Sequence, residues 1–295
     1  MVVSPDNAQL LRQIEADAKE SVGLNLEQGR ARAREIALAD GDRIGLDDVR
    51  DVDANGVPCR LYRPRIGAPV SLYVHGGGWV LHDLETHDAF CRELAHRTGW
   101  ALLAVDYRRA PENPYPAPLD DVETAARWLR EEGRGLRLGT EMVAGIGDSS
   151  GANLLAGLTV REPDLLDALV LMYPPVHASA AYSDEANAAM DEPSMRAFWE
   201  AYAPGAEAEN PEVSPLLADL STFPPTLVVT AEHDVLRDQG EAFAAALAEA
   251  GVDVIAWRAL GTVHGFWRHP TVVAASRAAV LSVGAFLESR RAGHV

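Results

Sequence analysis

The feature of this chain that most constrains its fold is the pentapeptide Gly147-Asp148-Ser149-Ser150-Gly151, which separates an apolar run from a helical pattern. The apolar run is Met142–Ile146, and the helical pattern starts at Ala152. Strand, sharp turn and helix is the context in which the serine of a Gly-x-Ser-x-Gly turn becomes a nucleophile. Flanking glycines let the backbone and the helix approach closely, because they carry no Cβ atom. A glycine-rich turn with an incidental serine has the same pattern, so the rest of the chain must decide.

Strand-like and helical patterns alternate along most of the chain. Asn55-Gly56 predicts a hairpin turn, and the predicted strands are 49–52, 58–62, 70–74, 101–105, 142–146, 168–172, 226–230 and 252–257. Helical patterns cover 86–98, 118–132, 151–161, 236–250 and 271–291. Continuous apolar strands separated by helices indicate a parallel sheet covered on both faces. The sequence therefore predicts an α/β fold with a mostly parallel central sheet of about eight strands, flanked by helices.

Two segments fall outside this alternation. Residues 8–20 and 26–39 have apolar side chains at helical spacing, which predicts two helices ahead of the sheet. Segment 176–214 has no strand pattern and is too long for an ordinary connection. Aromatic side chains on a short helix at 194–203 favour a packed lid over a disordered loop. The predicted organisation is N-terminal cap helices in 1–45, a catalytic domain in 46–175 and 215–295, and an inserted cap segment in 176–214.

Charge and composition argue against several classes of partner. The formal net charge of −18 and the pI of about 4.8 disfavour nucleic acids and anionic membranes, which both select basic patches. Cys59 and Cys91 provide neither a disulfide framework nor a metal-ligand set. The N-terminus lacks the pattern of a secretion signal, and no apolar run could span a bilayer. We therefore expect a cytoplasmic protein that uses no metal and no cofactor.

A nucleophilic serine needs a base, an acid that orients the base, and donors for the oxyanion. In a sheet of this kind the chain order is serine, then acid, then histidine. Asp234 follows strand 226–230 at its carboxyl end, where the active-site groups of open α/β sheets gather. Asp234 could also cap the following helix, and Asp238 and Glu232 are competing acids.

Two histidines, His264 and His269, follow the last predicted strand in a loop. His264 is favoured because its neighbour Gly265 permits an unusual backbone conformation. The stretch between Asp234 and His264 has room for one helix and one strand, so both loops open on the same edge of the sheet. The candidate catalytic residues are therefore Ser149, Asp234 and His264.

The segment His75-Gly76-Gly77-Gly78-Trp79 directly follows strand 70–74. Its glycines leave backbone N–H groups uncovered, and these can point at a developing negative charge together with the N–H of Ser150. A flexible glycine turn is the simpler alternative. A phosphate-binding loop is disfavoured because the Gly-Lys-Ser/Thr ending is absent. Trp79 is a candidate wall of the substrate pocket, since it follows the glycines.

These motifs together resemble the bacterial hormone-sensitive-lipase-type carboxylesterases of the α/β-hydrolase fold. The resemblance spans about residues 48 to 290 and is carried by His75–Trp79, Asp106–Glu112, Gly147–Gly151, Ser214–Leu217, Asp234–Asp238 and His264–Phe266. It implies that Ser149 is the nucleophile, His264 the base and Asp234 the orienting acid. It also implies an oxyanion hole formed by the N–H groups of Gly77, Gly78 and Ser150.

The resemblance further implies a helical cap and the pairing of two subunits through the last helix and the strand before it. The chain departs from the family pattern at Ser150 and Ala152, which stand for an alanine and a glycine. His82 occupies a position where the family tends to have glycine, which affects the rim of the pocket rather than the mechanism.

The expected activity is hydrolysis of short- to medium-chain acyl esters of small molecules through an acyl-enzyme. Hydrolysis of amides or formamides, or deacetylation of small metabolites, would use the same groups and is the first alternative. A non-catalytic binding protein on the same scaffold is the second, although such a protein would be expected to lack one of the catalytic residues. A lipase acting at lipid interfaces is disfavoured, because no amphipathic basic segment is present.

Overall fold

The computed structural model of the chain describes residues 2–39, 43–183 and 189–293. Its strands are β1 (Asp48–Ala54), β2 (Val57–Arg63), β3 (Pro69–Val74), β4 (Ala101–Val105), β5 (Gly139–Asp148), β6 (Ala168–Met172), β7 (Thr226–His233) and β8 (Val254–Val263). Its α-helices are α1 (Pro5–Glu20), α2 (Leu26–Ala39), α3 (Leu84–Thr98), α4 (Ala117–Glu132), α5 (Ser150–Arg161), α6 (Glu192–Tyr202), α7 (Arg237–Glu249) and α8 (Ala274–Ala292). In these ranges we find no helix with the length and apolar character needed to cross a bilayer.

The strands form one sheet of eight in the order β1-β2-β4-β3-β5-β6-β7-β8. The pairs β1–β2 and β2–β4 are antiparallel, and every other pair is parallel. Asn55 and Gly56 have φ values of 55° and 94°, as the turn of a tight hairpin requires. The predicted α/β fold with a mostly parallel sheet is confirmed.

Side chains of the strands alternate between two cores. In β3, Leu72 and Val74 face the core under α4, α5 and α7, whereas Tyr73 faces the core under α3 and α8. The central strands are buried on both faces, which explains why their sequence is a continuous apolar run. β8 lies at the edge of the sheet, and its Arg258 and Leu260 are exposed. Because polar and apolar residues mix on this edge, the run predicted at 252–257 misses the second half of the strand.

The segments outside the strand–helix alternation carry α1, α2 and α6. The Asp191 side chain caps α6 by accepting the N–H of Ser194 at 2.9 Å. Met195, Trp199 and Tyr202 on one face of α6 are buried in the core under α4 and α5. Of the two predicted cap segments, residues 1, 40–42 and 184–188 lie outside the described residues.

Two arginines attach α2 to the segments that follow β3 and β4. Arg30 donates from Nε to the carbonyl of Val80 at 2.8 Å and from Nη2 to the carbonyl of Ala110 at 2.9 Å. Arg34 forms an ion pair with the buried carboxylate of Asp83, which is also the N-cap of α3. α2 is therefore held against the start of α3 by charge-assisted hydrogen bonds.

Candidate active site

Ser149 lies in the turn between β5 and α5 and has φ 52° and ψ −123°. This conformation costs a non-glycine residue about 1–3 kcal/mol. A Cβ atom on Gly151 would lie 2.0 Å from the carbonyl oxygen of Val74, and one on Gly147 would lie 2.7 Å from the carbonyl oxygen of Gly151. Close backbone packing thus requires glycine on both sides of the turn. The serine stands at the N-terminus of α5, where the helix dipole favours negative charge.

His264 connects the serine to a buried carboxylate. Its Nε2 lies 3.0 Å from Ser149 Oγ, and its Nδ1 lies 2.7 Å from Asp234 Oδ2. Asp234 is fully buried, and its Oδ1 accepts the N–H of Leu236 at 2.9 Å. With Nδ1–H directed at the carboxylate, Nε2 is the proton acceptor that faces the serine. The three candidate catalytic residues are therefore brought together at the carboxyl ends of β5, β7 and β8.

The competing acids and the second loop histidine are engaged elsewhere. Asp238 pairs with Arg237 at 2.8 Å. Glu232 Oε2 accepts the N–H of Gly261 at 2.6 Å. His269 lines a cavity of about 430 Å³ between α1 and α2. None of these three side chains hydrogen-bonds to the serine or to His264 in the described part of the chain.

The glycine loop after β3 presents free donors beside the serine. The backbone N–H groups of Gly77, Gly78 and Ser150 donate to no protein acceptor among the described residues. Gly77 and Gly78 have φ values of 128° and 61°, which favour glycine. A Cβ on Gly77 would also lie 2.6 Å from the carbonyl oxygen of Leu81. Uncovered donors at the N-terminus of a helix are suited to binding an oxyanion.

Asp148 ties the glycine loop to the serine turn. Its Oδ1 accepts the N–H of Gly76 at 3.2 Å and the hydroxyl of Tyr73 at 2.8 Å. Burial raises the pKa of the Asp148 carboxyl above its usual value. Since Asp148 directly precedes Ser149, one side chain sets the position of both the nucleophile and the donor loop. No sequence signal predicts this role apart from the position of Asp148 within the pentapeptide.

Aromatic side chains of α6 pack against the glycine loop. Trp79 is fully buried, with its ring stacked 4.5 Å from that of Tyr202 and 4.3 Å from that of Trp199. Its ring therefore packs against α6 without solvent-exposed surface, and its assignment as a wall of the substrate pocket stays a prediction. Phe198 is half-buried, and its ring carbons lie 2.5 to 2.7 Å from the position of a Cβ on Gly78. Phe198, one of the aromatic residues that favoured a packed lid in the sequence, is the α6 side chain next to the candidate oxyanion donors.

Three histidines cluster near the same loop. The ring of His87 lies 5.3 Å from the rings of both His75 and His82. Burial lowers the pKa of His75 to about 4 and holds the pKa values of His82 and His87 well below the usual value for histidine. The positive charge of Arg268 lowers all three pKa values further. The cluster is therefore neutral at neutral pH. Within the described ranges, no group of three or more His, Cys, Asp or Glu side chains is arranged to hold a metal ion.

We expect the free energy of unfolding to decrease as the pH falls from about 6.5 to about 4. Burial also lowers the pKa of His269 to about 3, so it joins the cluster in titrating below the unfolded histidine value of about 6.5. In this window the unfolded chain binds more protons than the folded chain, so acid favours unfolding. Burial raises the pKa values of Asp106 and Asp148, so these two carboxyls bind protons more readily in the folded chain and oppose the loss of stability in acid. The four histidines outnumber them, so the free energy of unfolding still decreases as the pH falls.

Urea midpoints measured across this pH window test the expectation. His269→Gln removes one titrating group and should reduce the slope, whereas Gln9→Ala in the same cavity wall removes none and should leave the slope unchanged. A midpoint that stays constant over the window would contradict the prediction.

A family model described as the α/β-hydrolase fold matches residues 71–268. The carboxylesterase NlhH of Mycobacterium tuberculosis is 37% identical over 250 residues, which cover 79% of this chain and 76% of that protein. A solved hyperthermophilic esterase from the archaeon Pyrobaculum calidifontis is similar with a TM-score of 0.89 and 33% identity, covering 98% of this chain and 99% of that one. A solved esterase from the bacterial hormone-sensitive lipase family has a TM-score of 0.87 and 26% identity, covering 98% and 99%.

Proposed function

Because this chain belongs to the α/β-hydrolase fold family and is a carboxylic ester hydrolase of the hormone-sensitive-lipase type, we propose that Ser149, His264 and Asp234 form its catalytic triad. The observation that carries the proposal is the pair of contacts made by His264, 3.0 Å to the serine hydroxyl and 2.7 Å to the carboxylate. Hydrogen-bond reach between nucleophile, base and orienting acid is the geometric requirement for serine catalysis.

In the first half of the reaction, Ser149 Oγ attacks the ester carbonyl carbon while His264 Nε2 takes the hydroxyl proton. The carbonyl π electrons move to oxygen, and the N–H groups of Gly77, Gly78 and Ser150 stabilise the resulting oxyanion. Each such donor is typically worth about 3–4 kcal/mol of transition-state stabilisation. When the intermediate collapses, the bond to the alcohol oxygen breaks and His264 returns the proton to the leaving alcohol.

The second half repeats the sequence with water in place of the serine. His264 takes a proton from water, the hydroxide attacks the acyl carbon, and the C–O bond to Ser149 breaks as the serine recovers its proton. Asp234 remains ionised throughout and stabilises the imidazolium that forms in each half. No step requires an electron donor, an electron acceptor or a metal-bound nucleophile.

The segments 1–45 and 176–214 are proposed to form the cap over this site. Phe198 supports this assignment, because its ring on α6 contacts the glycine that carries one oxyanion donor. The anchoring of α2 at Val80 and Asp83 supports it from the N-terminal side. Ser149 itself is only 7% exposed, so the opening above the nucleophile is small. The substrates favoured by this geometry are esters with short to medium acyl chains.

We expect p-nitrophenyl esters with short acyl chains to be hydrolysed with the highest kcat/KM, and Phe198→Ala to shift the optimum towards longer chains. Truncating Phe198 removes the ring that lies against Gly78 and so widens the site. Ala201→Ser, on the same helix, is a control that leaves the ring in place. Hydrolysis that is fastest with long chains, or an optimum unaffected by Phe198→Ala, would contradict the proposed acyl site.

Amide hydrolysis is the second candidate activity, because the same triad can expel an amine. Matched p-nitrophenyl acetate and p-nitroacetanilide separate the two reactions. We expect the ester to be the better substrate, since p-nitrophenolate is a much better leaving group than the amide nitrogen of p-nitroaniline. A cytoplasmic location and a homodimer formed through β8 and α8 remain predictions from the sequence, the latter from the family resemblance alone.

A further inference from the structure

Arg268 is a half-buried arginine that forms no ion pair within 4 Å among the described residues. Its Nη1 lies 3.5 Å from His87 Nε2, and no carboxylate or carbonyl oxygen accepts a hydrogen bond from it among the described residues. Its Nε and Nη2 form no protein hydrogen bond in that part of the chain and do not belong to the enclosed polar atoms, so both are open to solvent. The guanidinium is thus available to an external acceptor.

This lack of a partner sets Arg268 apart in a strongly acidic chain. The other arginines that have neither a carboxylate nor a carbonyl partner in the described ranges are exposed: Arg12, Arg65, Arg134 and Arg137. Half-buried arginines elsewhere are satisfied, as Arg30 is by Glu112 and Arg161 is by Glu212. Removing a charge from water without a counter-ion is costly. A site that leaves one guanidinium free amid a net charge of −18 therefore suggests a negatively charged ligand.

Arg268 lies close to the catalytic groups. It ends the short turn Phe266–Arg268, four positions after His264, and its Nη2 lies 3.8 Å from the position of a Cβ on Gly265. Through His87 it reaches the serine turn, because His87 Nε2 is 3.9 Å from the carboxylate of Asp148. A ligand held by Arg268 would therefore be next to the loop that carries the base.

His82 adds a second polar group to this corner of the site. It has φ 63°, in the left-handed region that is unfavourable for a residue with a Cβ atom. Its Nδ1 is buried and has no hydrogen-bond partner among the described residues. Its ring lies 5.3 Å from that of His87, which contacts Arg268. The strained backbone and the proximity to His87 are the observations that include His82 in this corner of the site.

We propose that Arg268, assisted by His82, binds a carboxylate carried by the ester substrate, so that this hydrolase prefers monoanionic esters over neutral ones. The proposal rests on the proposed ester hydrolysis.

Two buried carboxylates near the histidine cluster, Asp83 and Asp148, are the alternative counter-ions for the positive charge of Arg268. Asp83 is already paired with Arg34 and lies 3.8 Å from Arg109. Asp148 is bonded to Tyr73 and to Gly76 but could use Arg268 as a distant counter-ion.

Matched substrates separate the two explanations. Monomethyl glutarate carries the carboxylate on the acyl side and is compared with its neutral carboxamide, methyl glutaramate. 3-Acetoxypropanoate carries the carboxylate on the alcohol side and is compared with 3-acetoxypropanamide. Because a charge-assisted pair is worth about tenfold or more in binding, we expect the wild type to prefer the anion of one pair by at least that factor in kcat/KM. The pair that shows the preference identifies the side of the ester that faces Arg268.

The variants then assign the preference to a residue. Arg268→Met is expected to reduce the anion-to-neutral ratio about tenfold, Arg268→Lys to keep part of it, and His82→Gly to reduce it less while relieving the strained backbone. Arg277→Met is the matched control, because Arg277 is a half-buried arginine satisfied by the carbonyls of Pro270 and Thr271. It should leave the ratio unchanged.

A binding measurement gives a readout that does not depend on turnover. Calorimetry with Ser149→Ala should detect the preferred anionic ester more strongly than its carboxamide, and Arg268→Lys in that background should weaken the difference. The inference is overturned if the wild type hydrolyses neutral esters without preferring either anion, or if Arg268→Met and Arg268→Lys lower both members of a pair equally. The proposed function itself fails only if no ester, charged or neutral, is hydrolysed.

Discussion

Replacing Ser149 by alanine is expected to lower kcat for p-nitrophenyl acetate by at least about 10⁴-fold, because removal of a triad nucleophile has effects of that size or larger. The hydroxyl is the group that forms the acyl-enzyme and the one that His264 Nε2 faces at 3.0 Å. Alanine keeps the Cβ atom and leaves the turn between β5 and α5 unchanged. The circular dichroism spectrum and the melting temperature should therefore stay close to those of the wild type.

A fluorophosphonate probe extends this test, since it labels only an activated serine. The wild type should be labelled and Ser149→Ala should not. Ser282→Ala is the matched control, because Ser282 lies in α8 and bonds within its own helix to the carbonyl of Ala279. It should keep both turnover and labelling. Retained turnover in Ser149→Ala would contradict the proposed mechanism. Absence of labelling in the wild type would instead favour the non-catalytic scaffold protein.

The second large effect is expected from Gly151→Ala, which should destabilise the fold by about 3 kcal/mol or more and abolish most activity. A Cβ there would lie 2.0 Å from the carbonyl oxygen of Val74 and 2.7 Å from that of His75. Both are backbone atoms at the end of β3, so a side-chain rotation cannot relieve the clash. α5 must move away from the loop that carries Gly77, which separates the two sides of the proposed oxyanion hole.

Urea denaturation of the purified variant measures the loss of stability. Gly29→Ala is the matched control, because Gly29 also lies within a helix but has open space around its Cα. There the substitution should stabilise by about 0.5–1 kcal/mol through the better helix propensity of alanine. A Gly151→Ala protein with wild-type stability would contradict the close packing between α5 and the end of β3.

The two substitutions affect different requirements of the same site. Ser149→Ala removes the reacting group and leaves the frame intact, whereas Gly151→Ala disturbs the frame and leaves the reacting groups in place. Asp148 is the residue that links the two, since its carboxylate holds the N–H of Gly76 while its backbone leads into the nucleophile. The strain at Ser149 is thus maintained by packing of β3, β5 and α5, which explains why the surrounding residues are small or buried.

Much of this arrangement can be predicted from the sequence, because the information is local. Apolar runs between helical patterns determine a parallel sheet buried on both faces, and the order of Ser149, Asp234 and His264 follows from their positions after β5, β7 and β8. The carboxyl ends of parallel strands meet at one edge of a sheet, so residues distant in sequence can be assigned to one site without any measured distance. Glycines beside Ser149 indicate the tight turn for the same local reason.

Only the tertiary structure decides which side chains from separate segments meet. It buries Trp79 against α6 and places Phe198 beside Gly78, although the sequence context favours Trp79, which follows the glycines. Among the described residues it leaves Arg268 without a carboxylate at ion-pair distance, which no spacing rule could indicate. Packing of this kind depends on where whole helices dock, and that is determined by the sum of many weak contacts rather than by the pattern of any one segment.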